Sequence, residues 1–255
     1  MSSSRKQLTY HDYTIGWVST LPLELAAAMA MLDDSHAPLP GPEGDHNTYH
    51  IREIEGHNIV MAYLPAGFTQ MLPTFPSVKF GLMVGIGGGA LSDSFDIRLG
   101  DVVVSKPTGQ LWGVVQYDYG KTLVAAPEVL LTAISDLQAK HRSAMNHITV
   151  HLENAARAHP LMKSSLTYSG EAHDILFQPS YIHQGINLTC TNCESSHKDS
   201  QTRDKLGKEF GILCLMDHFP CLVIRGICDS SDSHKNKRWQ GYAAATAASY
   251  AKELL

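Results

Sequence analysis

The chain predicts an α/β fold: a three-layer sandwich with a central mixed, largely parallel sheet and helices on both faces. Three observations predict it. Short apolar, β-branched runs alternate along the chain with helix-forming runs, the pattern of strands joined by crossover helices. With 255 residues, 44% of them hydrophobic and 18% charged, there is apolar material for one large core. No internal repeat or domain-sized linker interrupts the sequence, so residues 13–255 read as one domain behind a flexible tail at 1–12.

The elements follow in order. Residues 13–19, YTIGWVS, run apolar and β-branched residues together and read as a buried strand punctuated by Gly16 and Ser19. Pro22 suits a first helical turn, and the strong helix formers after it carry a helix to near Leu32. Residues 33–45 are dense in Pro, Gly, Asp and His and read as an exposed loop. TYHIREIEG (48–56) alternates apolar and polar residues and HNIVMAYLP (57–65) is almost continuously apolar, so two strands meet at a turn on Gly56. FTQMLPTFPSV (68–78) is helical only briefly, because Pro73 and Pro76 interrupt it.

FGLMVGIG (80–87) and DVVVS (101–105) read as strands flanking a glycine-rich loop. PEVLLTAISDLQAKH (127–141) is an amphipathic helix whose closing Lys and His suit a C-terminus. Residues 155–200 are polar and read as irregular surface, and TRDKLGKEFG (202–211) as a short helix stopped by Gly211. CLVIRGICDSSD (221–232) is a buried strand running into an acidic turn. RWQGYAAATAASYAKELL (238–255) is an alanine-rich helix long enough to cover one sheet face.

Composition excludes several functions. A net charge of -5 gives no support for a phosphate-backbone surface, so nucleic acid is not expected as a partner. The first residues lack a signal-type apolar core and no stretch reaches the twenty or so apolar residues of a membrane span, so no membrane partner and a cytoplasmic or nuclear compartment are expected. Five cysteines, an odd number, fit reduced thiols. Cys190 and Cys193 with His197 form a lone CxxC without a second pair, and the fourteen histidines include no HExxH, so no metal site is expected.

YTIGWVSTLPLELAAAMAML, DHNTYHIREIEGHNIVMAYLPAG, FGLMVGIGGGALSDSFDIRLGDVVVSKPTG, GVVQYDYGKT and FPCLVIRGICDSSDSHKNKRWQGYAAATAASYAKELL together resemble the nucleoside phosphorylase and nucleosidase superfamily, the purine and uridine phosphorylase-like proteins. The likeness extends to the fungal versions that precede NACHT, ankyrin or tetratricopeptide modules. The resemblance implies cleavage of the N-glycosidic bond of a purine nucleoside, a small-molecule nucleoside as partner, homo-oligomers, and no cofactor other than inorganic phosphate as co-substrate in a phosphorolytic version.

That chemistry builds positive charge on the sugar and negative charge on the departing base, so it needs an acid at the base, a partner for the attacking water or phosphate, and a grip on the ribose. Asp229, past the end of the RGICD strand, matches the acid of the resemblance; capping of the next turn is its plain structural explanation. Arg225, four residues earlier, matches an arginine that positions the acid, or is a structural ion-pair partner. Glu24 matches the glutamate that orients the nucleophilic water, and equally complements a helix dipole. Gly85, Gly87, Gly88 and Gly89 let backbone pass beneath a flat ligand, or make a tight turn. Gly85, Gly87 and Ala90 also fit the dinucleotide pattern GxGxxA, but no helix follows them. The HKNKR cluster at 234–238 reads as a solvated face.

Departures from the family pattern are as informative. After LPAG the small-residue helix that helps enclose the site is shortened, and the acidic motif that grips the ribose hydroxyls is missing. Only Leu215–Pro220 separate GILC (211–214) from CLVIRGIC, too few residues for a parallel crossover. Either GILC lies outside that sheet, or it joins antiparallel, or the C-terminal half is internally shortened. No arginine near the glycines is clearly placed to hold phosphate, Arg98 being the candidate, so hydrolysis is at least as plausible as phosphorolysis. Two functions therefore stand side by side: a nucleoside-cleaving enzyme, impaired where the ribose segment is lost, and a non-catalytic nucleoside-sensing or interaction module.

Overall fold

A computed structural model of the chain describes residues 8–40, 45, 47–63, 67–89, 97–106, 115–116, 121–122, 126–143, 146–177, 181–183, 219–234 and 237–255. The strands are β1 (Ile15–Ser19), β2 (Asp34–Ser35), β3 (His50–Ile54), β4 (His57–Tyr63), β5 (Phe80–Gly88), β6 (Val102–Val104), β7 (Val115–Gln116), β8 (Lys121–Thr122) and β9 (Cys221–Asp229). Seven of them form one sheet in the order β2-β3-β4-β1-β5-β9-β6, and β7 with β8 makes a separate antiparallel ribbon. The central four, β4-β1-β5-β9, are parallel, while β2, β3 and β6 join antiparallel. The expected mixed, largely parallel sheet is present.

Alternation along the strands makes two cores. Ile15, Trp17, Ile59, Met61, Leu82, Val84, Leu222 and Ile224 face α1 (Pro22–Ala30), α3 (Glu128–Arg142), α4 (Ile148–Ala158) and α6 (Lys237–Leu254). Val18, Val60, Ala62, Met83, Cys221 and Val223 face the opposite way, against Met71 and Phe75 of α2 (Gly67–Thr74) and its exit. Helices thus cover both faces, which gives three layers. Each fully buried large apolar side chain contributes roughly 1.5–3 kcal/mol, so Trp17, Leu82 and Ile59 are major anchors.

Helix α6 lies unusually close to the sheet because its buried face is built from Ala243, Ala244, Ala247, Ala248 and Ala251. Gly226 of β9 sits directly under it: a Cβ at this position would collide with the carbonyl oxygen of Ala243. Gly226→Ala is expected to cost about 1–3 kcal/mol or more by overpacking, read as a lower melting temperature by circular dichroism. An unchanged melting temperature would contradict so close a contact. On the other face, burial pushes the Cys221 thiol up to about 12, so it is protonated at pH 8. Iodoacetamide at that pH is expected to leave Cys221 unlabelled in the folded protein and to label it in denaturant.

Several expectations are corrected. The polar stretch from Ala155 contains the end of α4, a 3-10 turn at Pro160–Met162, α5 (Lys163–Leu166) and a second 3-10 turn at Glu171–His173, held by burial of Leu152, Ala155 and Leu166. The loop after α1 carries the edge strand β2, and its His36 is buried against Tyr13, whose hydroxyl is 2.9 Å from Nδ1. The glycine-rich loop expected after FGLMVGIG begins later, since β5 runs on through Gly88, and Gly85–Gly88 pair with Arg225–Asp229. Residues 8–12, grouped with the tail by sequence, form a 3-10 turn at Tyr10–Asp12 that packs Leu8 and Tyr10 against the α2-side core.

GILC and TRDKLGKEFG lie outside the described residues. Both sides of β9 are paired over much of its length. Its one side pairs with β5 from Cys221 to Asp229, and its other side is taken at Val223–Ile227 by β6 and its flanking residues Gly100, Asp101 and Ser105. The turn expected at Gly56 is present, with Glu55 and Gly56 both at positive φ, 47° and 83°. No helix among the described residues is long and apolar enough to cross a membrane.

Candidate functional site

Parallel strands present ligand groups beyond their carboxyl ends, and here β1, β5 and β9 end side by side. Glu24 stands in the first turn of α1, immediately after β1, and is 3% exposed. Its Oε2 accepts from the backbone N–H groups of Thr20 (2.7 Å) and Leu21 (2.9 Å), and its Oε1 from that of Ile86 (2.7 Å). The carboxylate therefore caps its own helix and ties that helix to β5. A carboxylate has about four acceptor positions, so three of them are already in use.

Arg225 Nη1 lies 3.9 Å from Glu24 Oε1. Burial pushes the guanidinium's pKa down and the Glu24 carboxylate pulls it back, so the pair is mutually dependent. The pair passes directly over Gly85, where a Cβ would strike both Arg225 Nη1 and Glu24 Oε1. Gly85 is thus required by a charged pair rather than by a turn.

Three residues further along β5 a second polar group takes its place. Asp229, 7% exposed, ends β9 opposite Gly88, and its carbonyl accepts from Gly89 N at 2.8 Å. Its Oδ1 accepts from Ser231 N at 3.0 Å, closing a turn in which Ser231 adopts φ 55°. Oδ1 thus serves the turn-capping role, while Oδ2 accepts from Cys228 Sγ at 3.7 Å. A Cβ on Gly88 would collide with Ser231 Oγ and come within 2.6 Å of Asp229 Oδ1. A Cβ on Gly89 would meet Ile97 (2.7 Å) and Ile227 (3.0 Å) instead. Gly87 pairs with Ile227, just before a register irregularity at Gly87/Gly88.

The predicted residues therefore share one sheet edge but occupy two levels of it. Asp229 lines a cavity together with Ser230, Asp232, His234, Phe177, Ile175, His173 and Leu99. Glu24 and Arg225 do not line it; they meet over Gly85, three residues before the Gly88 that faces Asp229. Arg98 stands near enough to Tyr168 for its charge to act on that phenol, whose ring packs on Trp239 and Tyr242 of α6.

Sequence reasoning missed the other cavity residues. His234 was grouped with a solvated basic cluster, yet it is buried, while Lys237 and Arg238 are exposed. Phe177 lies in a stretch read as irregular surface and stacks on His234 with ring centroids 4.2 Å apart. The apolar triplet Ile175–Phe177 inside a polar stretch was the one available signal. The CxxC pair and the segment where a ribose grip is missing lie outside the described residues. Among the described residues, no cluster of His, Cys, Asp and Glu could hold a metal ion.

No family model matches the chain. It is similar to a nucleotide-binding leucine-rich repeat (NLR)-like protein of Hyaloscypha variabilis, with 39% identity over 298 residues, covering 98% of this chain and 30% of that protein. The chain thus spans about 30% of that relative's length. The aligned stretch is longer than the 255 residues here, so the relative carries residues within it that have no counterpart in this chain. Among solved structures, it is similar to the 5'-methylthioadenosine/S-adenosylhomocysteine nucleosidase of Neisseria meningitidis in complex with methylthio-immucillin-A. The TM-score is 0.50 and the identity 13%, over 94% of this chain and 97% of that one. A futalosine hydrolase mutant of Helicobacter pylori gives a TM-score of 0.50 and 15% identity, over 95% and 98% of the two chains.

Proposed function

We propose that this chain, which has the fold of the nucleosidases and futalosine hydrolases, cleaves the N-glycosidic bond of a purine nucleoside by hydrolysis. One observation carries the reading. A buried carboxyl, Asp229, ends a parallel strand on the wall of a cavity whose other side chains include the flat rings of Phe177 and His234. Asp229 donates a proton to a base ring nitrogen as the bond from C1' to that base breaks. Water adds its oxygen to C1' and returns its proton to the carboxyl, so the products are free base and free sugar. Glu24 and Arg225, which meet over Gly85 three residues before Gly88, are assigned to the sugar and water side. With its carboxylate already engaged by three amides, Glu24 serves chiefly to hold Arg225 and the start of α1 in position.

The test is to incubate purified protein with adenosine and with inosine, in the presence and absence of phosphate, and to follow free base and free sugar. Release of unphosphorylated ribose independent of phosphate is the expected result. Release only with phosphate would make the enzyme a phosphorylase with inorganic phosphate as co-substrate. A second reading is favoured by one observation: the relative is NLR-like and this stretch is 30% of it, a proportion suited to a nucleoside-sensing module on a larger protein. Saturable nucleoside binding without any base release would select that reading.

A further inference from the structure

The cavity at the end of β9 contains a buried nitrogen that the acid does not explain. His234 follows Asp229 by five residues in the turn that leads to α6, and its side chain is 4% exposed. Its ring plane is set by neighbours. Phe177 stacks on it at 4.2 Å and 17°, Tyr181 lies at 5.5 Å and 17°, and His183 meets it edge-on at 5.5 Å and 86°.

Asp232 lies beside one edge of the imidazole. Its Oδ2 lies 3.4 Å from Nδ1, and its Oδ1 accepts from the His234 backbone N–H at 2.8 Å. Ser233 Oγ accepts from His183 N at 3.0 Å and, 3.5 Å from Nδ1, keeps a second lone pair that can accept from the same ring N–H. A carboxylate can only accept, so Asp232 favours the proton on Nδ1 and leaves Nε2 with a free lone pair. That Nε2 is buried and has no hydrogen-bond partner among the described residues. Buried polar atoms are nearly always paired, and an orphan needs a reason. His234 lines the same cavity as Asp229, so a ligand can supply the missing donor.

We infer that His234 determines specificity, its Nε2 accepting a hydrogen bond from the ligand and so selecting 6-aminopurine nucleosides over 6-oxopurine ones. The inference rests on the nucleoside reading of the cavity. In a purine, the ring nitrogen that Asp229 would serve and the 6-substituent share one edge. An acceptor on that same wall pairs with an exocyclic amino group and opposes an oxo group, lone pair against lone pair. Asp232 is a positioning residue, acting through the tautomer it imposes on His234.

The experiment measures dissociation constants for adenosine and inosine by calorimetry, with base release followed in parallel. Wild type is expected to bind adenosine about tenfold or more tightly than inosine. His234→Phe retains the stack on Phe177 but removes the acceptor, and is expected to lose about tenfold in adenosine affinity with inosine little changed. Asp232→Asn can donate to Nδ1, which moves the imidazole proton to Nε2 and turns the acceptor into a donor. Its preference is expected to shift toward inosine, a change that a merely structural role would not produce.

Equal binding of the two nucleosides by wild type, binding of neither, or an unaltered ratio in folded His234→Phe overturns the inference. If His234→Phe does not fold, the ratio in Asp232→Asn decides. Selective binding without base release would sink the nucleosidase reading and leave the role of His234 intact. Base release with a ratio that ignores both substitutions would do the reverse.

Discussion

Asp229→Asn is expected to lower base release by about 10²–10⁴-fold, the usual contribution of a positioned general acid, while leaving the fold and nucleoside binding in place. The substitution is nearly isosteric. The amide oxygen keeps the bond from Ser231 N, and the backbone bond from Gly89 N to the Asp229 carbonyl is untouched. What disappears is the transferable proton. Steady-state release of base, measured beside the melting temperature, separates the outcomes. Retained release with a retained melting temperature would remove Asp229 from the chemistry, and the hydrolytic mechanism would go with it. A collapse in melting temperature would show that the carboxylate serves mainly as the cap of the turn at Ser231.

The second large effect concerns Glu24. Glu24→Ala is expected to cost about 3–5 kcal/mol in urea unfolding, because it leaves the Arg225 guanidinium buried beside no counter-charge. It also strands the amides of Thr20, Leu21 and Ile86, which then lack their acceptor. Adding Arg225→Met should recover part of that loss, since the uncompensated charge is gone, with a coupling energy of about 0.5–3 kcal/mol between the two sites. A Glu24→Ala loss below about 1 kcal/mol would mean that water replaces the carboxylate at little cost. Glu24 would then be free for a role toward the nucleophile.

The same pair explains where sequence reasoning stopped. Glycine is a poor strand former, so Gly88 and Gly89 read as the start of a loop, although β5 runs on through Gly88. The reason for a glycine at position 85 lies at a distance: a carboxylate from residue 24 and a guanidinium from residue 225 meet above it. Likewise α4 was not read, because ITVHLENAARA opens on β-branched residues and buries only Leu152 and Ala155, too narrow a stripe to stand out as a helical period. His234 was read with the lysines and arginine that follow it. Its burial depends on Phe177, fifty-seven positions upstream, and on Tyr181.

Local chemistry alone was sufficient for β1, β4, β5 and β9, whose apolar runs can satisfy their backbone and bury their side chains only inside a covered parallel sheet, and for α1 and α6, which are rich in strong helix formers. It also placed Asp229 and the glycines at one sheet edge, because register follows once neighbouring strands are known. Which groups face the cavity, which are locked into an ion pair below it, and which histidine is left with a bare nitrogen depended on folding. Those facts are set by groups that meet across 53 to 201 positions of chain, and no run of neighbouring residues encodes such encounters.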